Sequence, residues 1–388
     1  MSLAPRNRVL LVLVIGALAA CLATGFVTEA PNRLVSGHPI ALWTVSQPLT
    51  MLAIIALGLA LLLLAFWPQT RRTQAATMVV AAALFLLLIF DAGRGAAALM
   101  KGMPSATRIG LGASFWASLF CLAMITIDAL QRLRAGAAFR LAVLAFIALC
   151  LVAMLAAGSL GQLSLLREYA SRRDSFTAEL LRHGALVLAA SGAALLIGTP
   201  LGLLAARKPA SAGAIFGTLN LLQTIPSVAL FGVLIAPLSA LATAIPPLAA
   251  IGIGGIGPAP AILALTLYAL LPIARNTEAG ITGIDPAAIE AARGMGLTQA
   301  QIFWRIELPL GLPTFLAGLR ITVVQTIGLA VVAALIGAGG LGTFVFQGIG
   351  QYATDLVLLG AIPAILLALA ADFLVTIAAS ALHERPLP

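Results

Sequence analysis

Charge is scarce in this chain. Asp, Glu, Lys and Arg make up 9% of its 388 residues, where soluble domains carry about 25%. Only two of the 22 basic residues are lysines, Lys101 and Lys208, followed by Gly102 and Pro209. Neither can form the Gly-Lys-Ser/Thr element that holds phosphate and magnesium in a Walker loop, so ATP hydrolysis by this chain is excluded. Gly252 to Gly257 spells G-x-G-x-x-G, but a dinucleotide site needs a preceding strand inside a soluble βαβ unit, and the apolar flanks supply neither. The three cysteines, Cys21, Cys121 and Cys150, lie far apart in apolar runs, without metal-ligand spacing. His38, His183 and His383 are equally scattered, so no metal is assigned. No Ser/His/Asp set or carboxylate pair points to an enzyme, and no dense basic cluster with interleaved aromatics points to nucleic acid.

What is present is hydrocarbon. Hydrophobic residues form 61% of the chain, and ten apolar runs are long enough, or nearly so, to span a bilayer. They fall near Val9–Thr28, Leu49–Trp67, Ala75–Phe90, Ile109–Leu130 and Phe139–Gly158, then His183–Ala206, Ala212–Leu238, Ile256–Ala274, Pro313–Ala338 and Leu356–Leu382. The class is an all-α polytopic membrane protein of about ten helices. The net charge of +9 then reads as topology and contact with anionic lipid. With the N-terminus inside, thirteen Lys and Arg face the cytoplasm and eight face outward, with Arg320 near the inner end of a span. Both termini are therefore expected in the cytoplasm. Arg6 and Arg8, an apolar run and Leu18-Ala19-Ala20-Cys21 imitate a lipoprotein signal, but the run stays apolar to Val27, which favours an uncleaved span. The charged segment Arg167 to Arg182 reads as an amphipathic outer element, and the domain boundary is set near Ser164, giving 1–163 and 164–388. In the first half, Asp91 to Arg108 reads as a solvated outer loop.

The second half holds one long polar segment, Glu290 to Pro309. Asp285 and Pro286 suit the start of a short helix through Glu290 and Arg293, and Gly294 and Gly296 stop it. Thr298 and Gln301 form a capping box for a second helix carrying Ile302, Phe303 and Ile306, which Pro309 and Pro313 are expected to end. Two short helices joined at a glycine elbow, between two spans, suit docking into a cleft on another protein. Elsewhere, Gly198-Thr199-Pro200-Leu201-Gly202 is expected to break a span. Asn220, Gln223 and Thr224, before Pro226, put polar groups inside the next span, either packed at a proline kink or facing a water-filled path. Asp372, near the middle of the last span, reads first as bonded to a neighbouring helix and second as part of that path.

The segment Glu290-Ala291-Ala292, Gly296, Ile306, Leu308-Pro309 resembles the EAA loop, here within 285–310, of the permease subunits of ABC importers. QTIPSVAL, ALLPIARNTEAG and IGAGGLG sharpen the likeness to permeases for glycine betaine, choline and related quaternary amines. The likeness covers roughly Phe176 to Leu382, and the first five spans look like those of a longer subgroup. It implies a type I importer fold with a five-helix core in the second half, in a bacterial cytoplasmic membrane. It implies ATPase subunits that carry the ATP and magnesium, a second permease copy or homologue, and an extracytoplasmic substrate-binding protein. This chain itself would bind no cofactor. The competing reading is an ion-gradient-driven transporter of five-plus-five inverted repeats, although the halves show no internal similarity.

Overall fold

The computed structural model describes residues 5–383 other than 34, 36 and 251. The chain divides into two units, one of Met1–Ser171 with Gln351–Asp355, the other of Arg172–Gly350 with Leu356–Pro388. The division falls past Ser164, so the short helix after that residue stays with the first unit.

In the first unit, α1 (Arg8–Ala23) starts at Asn7, whose side chain accepts from the Leu10 amide. The helix ends earlier than its apolar run, because Val27 and Thr28 turn into β1 (Val27–Ala30). β1 is the centre of a three-stranded antiparallel sheet, pairing with β2 (His38–Ile40) and β3 (Arg108–Leu111). Between β2 and β3 run α2 (Leu42–Val45), α3 (Pro48–Phe66) and α4 (Arg71–Leu99). α5 (Ala113–Arg132), α6 (Ala137–Ala156) and α7 (Ser164–Ser171) complete the unit. The α7 residue Arg167 donates to the Ser105 and Thr107 carbonyls, and Glu168 pairs with Arg33. Burial, and then the charge of Arg108, hold the Arg167 guanidinium below its ordinary pKa. One expectation is corrected here: Asp91 does not lie in a solvated loop. It sits inside α4, buried, and accepts from Ser46 Oγ, since α4 runs on to Leu99.

The second unit contains α8 (Arg173–Arg207), α9 (Pro209–Thr224), α10 (Ser227–Ala244), α11 (Pro246–Ala250), α12 (Pro258–Thr282), α13 (Pro286–Gly294), α14 (Gln299–Ile302), α15 (Leu308–Val332), α16 (Gly342–Gly350) and α17 (Thr354–His383). The charged run expected as a separate surface element is α7 and the first turns of α8. At 1.5 Å per residue α8 is about 52 Å long, more than a bilayer core needs. Pro200 does not break it. A proline removes one backbone bond, and a neighbouring helix can offset that loss. The flanking glycines serve the packing instead: a Cβ on Gly198 would meet Ile273, and one on Gly202 would meet the Ala274 carbonyl, both on α12. The seventh apolar run, conversely, is two helices, because the chain is extended at Ile225 and Pro226. Nine helices among the described residues are long and apolar enough to cross a membrane, and α1 is a shorter apolar tenth.

α12 is the central element of this unit, packed between α8 and α15 with Ala261, Ala264, Leu265, Ile273 and Ala274 buried. Backbones touch where it crosses α15: a Cβ built on Gly311 would lie 2.7 Å from the Gly280 carbonyl oxygen, and one on Gly280 2.8 Å from that of Gly311. Small residues at such crossings let dispersion and close packing hold helices together where lipid offers no hydrophobic drive. Gly311→Leu is therefore expected to cost about 1 to 3 kcal/mol. It should lower the unfolding midpoint in a thermal scan of the detergent-solubilised chain, whereas Gly213→Leu, with nothing within 4 Å of the added Cβ, should leave it in place.

Candidate functional site

The polar segment forms a hairpin at one end of α12 and α15. Asp285 caps α13 by accepting from the Ala287 amide at 2.9 Å, and Pro286 occupies the first turn. Within the Glu290-Ala291-Ala292 triplet, Glu290 and Ala291 face outward while Ala292 is 1% exposed. The helix closes with Leu297 N donating to Ala292 O and Gly296 in the left-handed region at φ 78°, which favours glycine. Thr298 and Gln301 then make the reciprocal capping box.

The expected end of the second helix is not observed. α14 passes through a π-helical turn, Phe303–Glu307, directly into α15. Pro309 falls in the first turn of α15 and Pro313 sits inside it without stopping it. A π turn has already shifted the hydrogen-bond register at that point, and proline is tolerated at the start of a helix. The second arm of the hairpin and the ninth span are therefore one continuous helix. Ile306, Leu308 and Pro309 lie on this junction, half-buried.

Glu307, in the position between Ile306 and Leu308, is 4% exposed and paired with Arg207 at the end of α8. The pair is bidentate, with Arg207 Nη1 to Glu307 Oε1 at 2.8 Å and a second bond from Nη2 to Oε2. A cation in the last turn of α8 also complements that helix's dipole. Beneath the junction lies an apolar cavity of about 110 Å³ bounded by α8, α12 and α15, with Thr199, Thr277, Gly280 and Phe315 in its walls. Met295 on the first arm and Trp304 on the second are 71% and 65% exposed, and Glu290, Arg293 and Arg305 are exposed on the same hairpin. Neither the Arg207–Glu307 pair nor the exposure of Met295 and Trp304 was read from the sequence. An acidic residue buried among apolar neighbours and a tryptophan in a polar segment were the available signals.

The other candidates separate. Gln223 Nε2 donates to the Tyr268 carbonyl at 2.7 Å, and the Tyr268 hydroxyl donates to the Ile225 carbonyl, so these two side chains satisfy the backbone at the α9–α10 break and across to α12. Tyr268 was not anticipated, although a tyrosine inside an apolar run requires a partner for its hydroxyl. Asn220 and Thr224 are exposed, Thr224 donating to Leu221 O. Asp372 joins none of them. It forms a bidentate pair with Arg320 across α15 and α17, with Nη2 to Oδ2 at 2.8 Å.

Residues 198–384 match the family described as the inner membrane component of binding-protein-dependent transport systems. The carnitine transport permease OpuCB of Listeria monocytogenes is 41% identical over 192 residues, 50% of this chain and 81% of that protein. The chain belongs to this permease family. The permease is also similar to the osmoprotectant import permease OsmW of Salmonella typhimurium, 41% identical over 50% of this chain and 85% of that one. The choline transport permease OpuBB of Bacillus subtilis is 38% identical over 47% and 77%. Residues 6–166 match the N-terminal domain of the ABC transporter permease YehY. Among solved structures, the methionine transporter MetNI aligns with 53% of this chain and 95% of its own at 26% identity and a TM-score of 0.46. The family match and these permease relatives make the second half a permease domain of a binding-protein-dependent importer, and the ion-gradient alternative is left without support.

The Arg207–Glu307 pair ties the hairpin to α8, so Glu307→Ala should loosen it while leaving the Arg207 guanidinium unpaired. Loss of one partner of a fully buried pair costs about 3 to 5 kcal/mol. The cost is expected well below that here, because Arg207 is 42% exposed. Amide exchange should quicken in residues 294–308 and stay unchanged at the α9–α10 break.

Proposed function

We propose that this permease is the membrane path of an ATP-driven importer for a small quaternary-amine osmoprotectant, of the betaine, carnitine or choline kind. The relatives' names support the substrate class. The observation that carries the coupling is the hairpin, with Met295 exposed at the end of α13 and Trp304 exposed on the π turn continuous with α15. An exposed methionine and tryptophan on a hairpin that also carries exposed charges suit a cleft on a soluble ATPase. Closure of two ATPase subunits on bound magnesium ATP would push this hairpin. Because α14, the π turn and α15 form one helix, the push passes into a span without an intervening loop. The Arg207–Glu307 pair carries it to α8, and the Gly280–Gly311 contact carries it to α12. The spans then rock between outward- and inward-open states.

In this reading Glu290, Ala291, Ala292, Gly296, Ile306, Leu308 and Pro309 make the coupling loop on the cytoplasmic side, with both termini on the same side. A second permease, a copy or a homologue, completes the path, and an extracytoplasmic binding protein delivers solute. Asn220, Gln223, Thr224 and Asp372 are the path candidates. Asp372 has the strongest physical support. Arg320 lies about 20 Å along the helix from Glu307, within the ninth span. Its side chain is 47% exposed and that of Asp372 34%. Charged groups so exposed at that depth belong against water or another protein rather than hydrocarbon.

Two variants test the coupling loop in the assembled transporter. Gly296→Val places a β-branched residue at a positive φ, a strain of about 1 to 3 kcal/mol. Glu290→Lys reverses charge on the docking face. Both should reach the membrane at normal levels and lose ATP-driven uptake, while Leu87→Ile in the first unit should transport normally. Parental uptake by both loop variants would remove the coupling role.

The path assignment is tested by exchanging charges. Arg320→Asp with Asp372→Arg keeps an ion pair but reverses its direction. Normal assembly with uptake altered by more than fivefold is expected. Unchanged uptake would make the pair purely structural.

A further inference from the structure

The first unit contains a crevice that the transport reading does not use. Its cavity is about 530 Å³, within the range of roughly 300 to 1,000 Å³ for small-molecule sites. α1 and α3 form its sides, Leu84, Leu88, Leu122 and Ile125 of α4 and α5 form its floor, and Trp43 of α2 stands at one end. The two side helices are pinned together at the other end, where the Arg6 and Asn7 amides both donate to the Ala65 carbonyl at 3.0 Å and Leu10 and Leu61 are buried. From that clamp they border the crevice up to Leu22 and Met51 beside the sheet.

The lining is apolar almost throughout. Its only hydroxyl, on Ser118, and its only thiol, on Cys21, lie 3.3 Å apart and satisfy each other. Water would find few polar partners along these walls and would be held poorly. An empty space of this size would forfeit the dispersion contacts of every side chain around it. These helices lie at membrane depth, and α1, at about 24 Å, is shorter than the hydrocarbon core. The surrounding solvent is therefore acyl chain, a thin and flexible filler. The end near the sheet supplies what a headgroup needs. Trp43 is 54% exposed, as a residue of the membrane interface would be. Arg94 Nη2 donates to Gln47 Oε1 at the start of α3, between the lining residues Trp43 and Met51 in the chain, so a cation and the first amides of α3 lie near that end.

We propose that this crevice is a binding site for one acyl chain of a membrane phospholipid, its phosphate held at the Trp43–Arg94 end. The lipid completes the packing of α1 and α3 against α4 and α5. Binding depends on filling a shaped void rather than on hydrophobic transfer, since the chain leaves one hydrocarbon for another. Steric filling of the crevice should therefore abolish it.

Gly58 offers the means, because nothing lies within 4 Å of a Cβ built there. The full-length chain, purified and extensively washed in detergent, is examined by native mass spectrometry and by extraction of bound lipid. The parent is expected to retain one phospholipid per chain. Gly58→Phe, and independently Ala17→Phe from the opposite wall, should each reduce retention at least fivefold with unchanged helix content. Leu144→Phe, on the exposed face of α6, should retain the lipid. Re-addition of phosphatidylglycerol should restore occupancy in the parent, and Arg94→Gln should weaken that rebinding. Equal retention in the filled variants, no lipid in the parent, or retention of free fatty acid in place of phospholipid would each overturn the assignment. Uptake is not the readout, so failure here leaves the transport reading standing.

Discussion

Close backbone contact around α12 is the constraint on which the second unit depends. In a bilayer, apolar side chains gain nothing by leaving lipid for protein, so helices associate through fit and a few polar bonds. α12 meets this condition three times. Gly198 and Gly202 of α8 admit its Ile273 and Ala274, Gly311 of α15 meets its Gly280, and Gly318 of α15 admits its Asn276. A side chain at any of these glycines would hold the helices apart. The contacts also reach the hairpin, since α12 leads into it and α15 leads out of it. Stiffness at the crossing is thus what lets a displacement of α13 and α14 become a displacement of spans.

Polar groups in the unit follow the same economy of the bilayer interior. Several are bonded to a partner that a helix alone could not provide. Gln223 and Tyr268 exchange side-chain bonds with each other's backbone region at the α9–α10 break. Arg207 and Glu307 join α8 to the π turn, and Arg320 and Asp372 join α15 to α17. Glu179 accepts from the Gly340 amide in the glycine turn after α15, where Gly337, Gly339 and Gly340 all have positive φ. Irregular backbone at membrane depth survives because such bonds take up its free groups. The first unit shows the alternative arrangement: its wide apolar crevice has almost no polar group to satisfy and requires hydrocarbon instead.

The sequence by itself determined the class, the spans and the local geometry of the hairpin. Long apolar runs have one stable form in lipid, so helices were legible without any neighbour. Asp285, Gly296 and the Thr298–Gln301 capping box act within a few residues, and their hydrogen bonds and φ values follow from adjacent chain alone. The family resemblance rested on the same short motif. Tertiary structure decided where helices stop and what the polar residues meet. Pro200 reads as a break from the sequence but lies within a helix buttressed by α12, whereas Pro226 coincides with a break that Tyr268 stabilises from another helix. Pro309 and Pro313 fail to end α14 because the π turn carries the helix past them. Asp91, Glu307 and Asp372 carry the same charge in the sequence, yet one meets a serine and two meet arginines from distant helices. Those partners lie 45, 100 and 52 residues away. A bond across such a separation depends on how helices pack, which residue spacing along one chain does not encode.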